Sequence, residues 1–198
     1  MIYIPKGALI LSQGNSSLGK LIRWGQRSWR EAPSRVNHSL LTIQGGVWPP
    51  NGWFAAPIIA ESDAVVRTGS LAKLHASDKL VIWDIDMTER ERNIVARDVE
   101  RHRGRPYAVL QLFGQLIDNK LLFGANVFRR LAKYDPLDIC SHLTGDAFQK
   151  VDISFGEPGY AQSPDDQDDY LREALAWGYL VDNRLQKRRV RLLWDDLA

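Results

Sequence analysis

The chain has 198 residues, of which 44% are hydrophobic and 25% charged, and its formal net charge is +2. This composition fits one well-buried globular core and excludes a disordered polyelectrolyte, a bundle of roughly 20-residue apolar spans and a strongly basic nucleic-acid binder. Its single cysteine, Cys140, excludes an intrachain disulfide and leaves one thiol for chemistry.

The opening Met1-Ile2-Tyr3-Ile4-Pro5-Lys6 has no basic region followed by an apolar core, so no signal peptide is expected. The default location is cytoplasmic, with export by a non-classical route as the alternative. Ala8-Leu9-Ile10-Leu11 is short, apolar and bounded by turn formers, which predicts a buried strand. Gln13 to Ser17 reads as a loop, and Leu18, Leu21 and Ile22 recur after it at helical spacing. Trp24 and Trp29 read as core or interface residues, because no basic stripe is interleaved with them.

Ser34 to Ile43 predicts a strand with Val36, His38, Leu40 and Thr42 on one face. Gly45 to Trp53 carries a dense turn signal, and Ile58 to Val66 predicts a second strand, giving a hairpin over 34–66. A turn centred between Pro50 and Asn51 sets His38 opposite Asp63 and diagonal to Glu61, so either carboxylate is placed to orient the imidazole.

Lys79 to Ile85 predicts another strand. Thr88-Glu89-Arg90-Glu91 is a capping box that opens a helix ending before Gly104, with Ile94, Val95 and Val99 as its buried stripe. Val109 to Leu122 reads as a further buried helical segment. His75 and His102 lie among polar neighbours and read as surface residues.

The stretch Asp135-Pro136-Leu137-Asp138-Ile139-Cys140 predicts a helix over about 138–149 with Asp138 as N-cap. Cys140 then falls in the first turn, where free amide hydrogens and the helix dipole favour a thiolate. Ile139, Leu143 and Ala147 form the predicted buried stripe. His142 points about 160° around the helix from Cys140 and is eliminated as its base. A lone cysteine is commonly a small buried hydrophobe, and a strand histidine is commonly a hydrogen-bonded core residue. Together with Glu61 or Asp63, however, Cys140 and His38 supply a nucleophile, a base and an orienter.

A C-terminal helix is expected over about 166–183, clearest from Asp169 to Val181, with Leu171, Leu175 and Tyr179 at four-residue spacing. The acids Asp165 to Asp169 suit a helix start and miss the spacing of a calcium loop, so no metal is assigned. Arg184 to Arg191 reads as a solvated basic tail, not a nucleic-acid surface.

Several pieces, in order, resemble the circularly permuted papain-like cysteine amidases related to the NlpC group, of the YiiX/YaeF kind. Gly7-Ala8-Leu9-Ile10-Leu11 is similar to that family's opening strand, with Ala8 where an acid is common. Gly14 to Arg23 resembles the loop and helix that follow. Val36-Asn37-His38 resembles its histidine strand, and Ile58-Ile59-Ala60-Glu61-Ser62 the strand with the third polar residue, which favours Glu61 over Asp63. Gly104-Arg105-Pro106-Tyr107 resembles a later segment, with Ala108 replacing an acid. Ile139-Cys140-Ser141-His142-Leu143 resembles the nucleophile motif, with His142 replacing a glutamate, and Pro164-Asp165-Asp166 a late turn.

The resemblance implies one α+β papain-like domain over 1–198, an antiparallel sheet or small barrel packed on a helical layer that carries the nucleophile helix. It implies a cofactor-free cysteine amidase or peptidase acting on a peptide or cell-wall peptide through a thioacyl intermediate, with Cys140, His38 and Glu61 as the triad. Tyr107 is a further polar candidate near the oxyanion. The alternatives are a lipid acyltransferase or thioesterase, for which Trp48, Trp53 and Phe54 would form an apolar lip, and a catalytically silent binding module.

Overall fold

A computed structural model describes residues 1–14, 20, 23–24, 34–50, 55–62, 65–106, 140–156, 162–182 and 186–197. Its centre is a six-stranded sheet. In chain order the strands of that sheet are β2 (Leu9–Gln13), β3 (His38–Gln44), β5 (Ile58–Ser62), β6 (Val66–Ser70), β7 (Lys79–Ile85) and β10 (Val190–Asp195). Their spatial order is β10-β7-β2-β3-β5-β6, and every adjacent pair is antiparallel. Two short ribbons complete the β structure: β1 (Ile2–Ile4) with β4 (Gly46–Trp48), and β8 (Leu180–Val181) with β9 (Lys187–Arg188).

The apolar run in β2 is continuous because both faces of the sheet are covered. Leu9 and Leu11 join Leu41, Val81 and Trp83 on one face, whereas Ile10 joins Leu40, Ile59, Leu80 and Ile82 on the other. The first face is closed by α2 (Glu89–Arg101), α3 (Cys140–Gln149) and α4 (Pro164–Trp177), through Val95, Val99, Leu143, Ala147, Phe148 and Leu171. The second is closed by Ile4 and by the one-turn helix α1 (Leu71–Leu74). The architecture is therefore α+β with an antiparallel sheet.

Local signals set most boundaries. Thr88 and Glu91 form the predicted capping box of α2, each bonding the other's backbone N–H. Ser163 and Asp166 do the same for α4, which has Pro164 in its first turn and closes on Gly178 at φ 82°, a conformation that favours glycine. The predicted Lys79 to Ile85 strand is β7, and the hairpin register holds, with Leu40 opposite Glu61 and Leu41 opposite Ala60.

Five expectations change. Gly46 to Trp48 is a strand paired with β1, not part of a turn. The predicted strand over 58–66 is two strands, because the chain reverses after Ser62 and pairs Ser62 with Val66. The C-terminal helix begins at Pro164 and ends at Trp177, not over 166–183; Leu171 is buried but Leu175 is 40% exposed. On α2, Ile94 faces solvent, and Arg92 and Ala96 join Val95 and Val99 in the buried stripe. Residues 187–195, read as part of a solvated tail, form β9 and β10, and the alternation of Val190 and Leu192 with arginines is a strand pattern.

No helix among the described residues is long and apolar enough to cross a membrane.

Candidate functional site

His38 is the first residue of β3, and Glu61 lies on β5, the adjacent strand. Because Leu40 stands opposite Glu61, His38 is diagonal to it on the same face, and its Nε2 lies 2.8 Å from Glu61 Oε2. The helix α3 packs against β3 and β5 and begins at Cys140, whose side chain is buried and hydrogen-bonded to the same imidazole. With Nε2 committed to Glu61, Nδ1 is the ring nitrogen left to serve the thiol. The strand pair thus supplies base and orienter, and the helix supplies the sulfur.

Burial would push the His38 imidazole down, but the charge and hydrogen bond of Cys140, joined by Glu61, raise it to about 10. Burial would likewise raise the Glu61 carboxyl, yet the hydrogen bonds and charges of His38 and His75 hold it well below its ordinary 4.5. Glu61 is therefore an acceptor only, and its partners all donate. They are His38 and His75 through Nε2 to Oε2, each at 2.8 Å, and Arg67 Nε to Oε1 at 2.8 Å. Arg67 reaches it because the β5–β6 register pairs Glu61 with Arg67.

His75 corrects the surface assignment. It is 6% exposed, caps α1 at its C-terminal end, and bonds Asp78 Oδ2 through Nδ1 at 2.8 Å. Burial lowers its pKa, but the bonds to Asp78 and Glu61 outweigh this and raise it above the ordinary value. Its polar neighbours concealed it. The one local signal was an acid three residues on, behind a short apolar turn.

Gln167 of α4 ties the two halves of the site together. Ser39, next to His38, donates to Gln167 Oε1 at 2.7 Å, and Gln167 Nε2 lies 3.2 Å from the carbonyl of Ser141, next to Cys140. Ser141 Oγ also donates to the Gln162 carbonyl at 2.7 Å. On the other side of His38, Asn37 exchanges two hydrogen bonds with the backbone of Gly14, each 3.0 Å.

Of the residues expected at the site, Cys140, His38 and Glu61 come together. The thiol has His38 as an imidazole partner, and His142 is itself buried. Trp48 ends β4 and packs against the second-face cluster with Leu193 and Trp194. Asp63, Trp53, Phe54, Tyr107 and the predicted cap Asp138 lie outside the described residues. Among the described residues, His38, Glu61 and His75 are a group whose ligand atoms all lie within 4.8 Å of one another, close enough to share a cation.

No family model matches the chain, and no curated protein matches it. Among solved structures it is similar in fold to a protein described as the metalloprotein yiiX from Escherichia coli O157:H7, DUF1105. The TM-score is 0.52 at 14% sequence identity, covering 98% of each chain.

Proposed function

We propose that the protein is a cysteine hydrolase of permuted papain-like architecture that cleaves an amide bond in a peptide or cell-wall peptide. The observation that carries this reading is that one imidazole, His38, hydrogen-bonds both the Cys140 side chain and the buried Glu61 carboxylate. A nucleophile, its proton partner and an orienter in that sequence are what acyl transfer through a thiol needs.

In this mechanism the Cys140 thiolate attacks the substrate carbonyl carbon and forms the C–S bond. His38, as imidazolium, gives its proton to the departing amine as the C–N bond breaks. Water then attacks the thioester with His38 as base, releasing the acid and returning the proton to the pair. The first-turn amides of α3 have no partner within the helix and face developing negative charge on the carbonyl oxygen. Losing one donor from such an arrangement typically costs about 2.7–4 kcal/mol of barrier. Glu61 holds the His38 ring orientation and keeps both ring nitrogens assigned.

The second reading within the same chemistry is acyl transfer or thioester hydrolysis on a lipid. A panel of peptide amides, acyl esters and acyl thioesters, assayed with the unaltered chain and with Cys140→Ala and His38→Ala, separates the two. Turnover of peptide amides that vanishes in both variants supports the proposal. Full turnover in Cys140→Ala sinks it, and turnover of acyl lipids alone transfers the assignment to the second reading. A silent module predicts a slow Cys140, so alkylation by iodoacetamide at neutral pH that is no faster than for a free thiol, and unchanged in His38→Ala, removes the catalytic reading altogether.

A further inference from the structure

We propose that His38, Glu61 and His75 form a binding site for a divalent transition-metal cation of the zinc type, and that its occupation excludes the cysteine chemistry. Binding itself follows from the geometry of the three side chains. Only the exclusion rests on the hydrolase reading above.

The donor set is two imidazole nitrogens and a carboxylate oxygen, a combination that selects zinc and its transition-metal neighbours over the oxygen-seeking magnesium and calcium. The ligand atoms lie within 4.8 Å of one another, and both Nε2 atoms are already 2.8 Å from Glu61 Oε2. Ligands about 2.1 Å from a tetrahedral ion stand about 3.4 Å apart, so each of the two Nε2 to Oε2 separations needs to open by about 0.6 Å, within the reach of side-chain rotation.

The outer partners are also in place. Asp78 accepts from His75 Nδ1, which fixes the ring with Nε2 towards the site, as carboxylates do behind metal-bound histidines. Arg67 holds the other Glu61 oxygen, and Cys140 engages His38 on its far nitrogen. The His38 side chain is 19% exposed, which leaves a solvent side for a fourth ligand.

Charge balance favours the exchange. His38 and His75 each present an Nε2 proton to the same carboxylate oxygen; a dication that replaces those two protons, released to solvent, leaves the net charge of the buried cluster unchanged. The Nδ1 contacts to Cys140 and Asp78 survive. What is lost are the hydrogen bonds of His38 and His75 to Glu61, and with the first the freedom of His38 to cycle a proton through the reaction.

The test is isothermal titration calorimetry of Zn²⁺ into the metal-free full chain carrying Cys140→Ala, which separates binding from turnover. One Zn²⁺ per chain is expected, with no heat from Mg²⁺ or Ca²⁺. Asp78→Asn, which preserves shape, is expected to weaken binding by about 10–100-fold, and His75→Ala and Glu61→Gln by more. Circular dichroism verifies that each variant is folded. With Co²⁺ in the unaltered chain, absorption lacking a thiolate charge-transfer band is expected. Absent Zn²⁺ binding in Cys140→Ala, binding undiminished in both His75→Ala and Asp78→Asn, or a thiolate band with Co²⁺ would each overturn the site. A chain that binds Zn²⁺ yet hydrolyses nothing leaves the site standing and removes only the hydrolase reading. If turnover is present and saturating Zn²⁺ leaves it unchanged, the exclusion is refuted.

Discussion

His75 donates through Nε2 to the Glu61 oxygen that also receives His38, at 2.8 Å. An orienting carboxylate with a single partner can rotate. One pinned by two imidazoles on one oxygen and by Arg67 on the other is fixed in plane and position. His75→Ala is expected to leave one side of a buried acceptor unmet and to cost about 1–3 kcal/mol in chemical denaturation. It is also expected to slow peptide hydrolysis chiefly through kcat, with His75→Gln recovering part of both losses. Unchanged kcat in a His75→Ala chain of reduced stability would confine His75 to a structural role.

Gln167 is fully buried and joins Ser39 to Ser141, the residues that follow His38 and Cys140. Its Nε2 also lies 3.1 Å from Thr144 Oγ1 and 3.1 Å from Gln162 Oε1. Gln167→Leu keeps most of the volume but strands several buried polar groups, and the expected destabilisation is about 2–4 kcal/mol. The alkylation rate of Cys140, measured well below the melting transition, is expected to fall as the α3 and β3 elements lose their common tie. A normal alkylation rate would show that packing alone aligns the two.

How much of this was legible depended on whether a residue's task was local. The capping box of Thr88 and Glu91, the β7 run and the hairpin register that sets His38 beside Glu61 each follow from spacing within one segment, and each is observed. Leu143 and Ala147 likewise follow from helical period. His75 and Gln167 did not show, because their roles exist only once α1 and α4 are laid against the sheet, and a polar residue with polar neighbours reads the same on a surface as in a satisfied buried network. The basic C-terminal stretch misled for a related reason: charge density dominated the reading, whereas β10 is defined by the alternation beneath it and by the edge of β7 that it covers.

That covering strand can be tested directly. β10 pairs with β7 from Val190 opposite Ile85 to Asp195 opposite Val81, and Arg172 of α4 bonds Asp195 at 2.9 Å. A solvated tail can be removed without consequence. Deleting residues 190–198 instead uncovers the hydrogen-bonding edge of a strand that is apolar from Leu80 to Trp83 and leaves Arg172 with Asp168 but without Asp195, so loss of cooperative unfolding and concentration-dependent aggregation are expected. A truncated chain with an unchanged thermal transition would return these residues to the status of a tail.

Acid stability carries a signature remote from the site. Glu91 in α2 is held down to about 2 from its ordinary 4.5, first by the Arg188 hydrogen bond and then by Thr88, against the opposing effect of burial. Arg188 itself bridges Glu91 to the buried Asp182, at 2.8 Å to each. A carboxyl whose folded pKa is depressed stabilises the fold above its unfolded pKa, and that contribution fades as pH falls through the folded value. Glu91→Gln retains a capping-box acceptor for the Thr88 amide but removes the charge. The difference in unfolding free energy between the unaltered chain and this variant is therefore expected to be largest above about pH 4.5, to shrink between 4.5 and 2, and to vanish below. Urea titrations at a series of acidic pH values measure it. A difference constant across that window would mean that the pair contributes through packing and not through its charge.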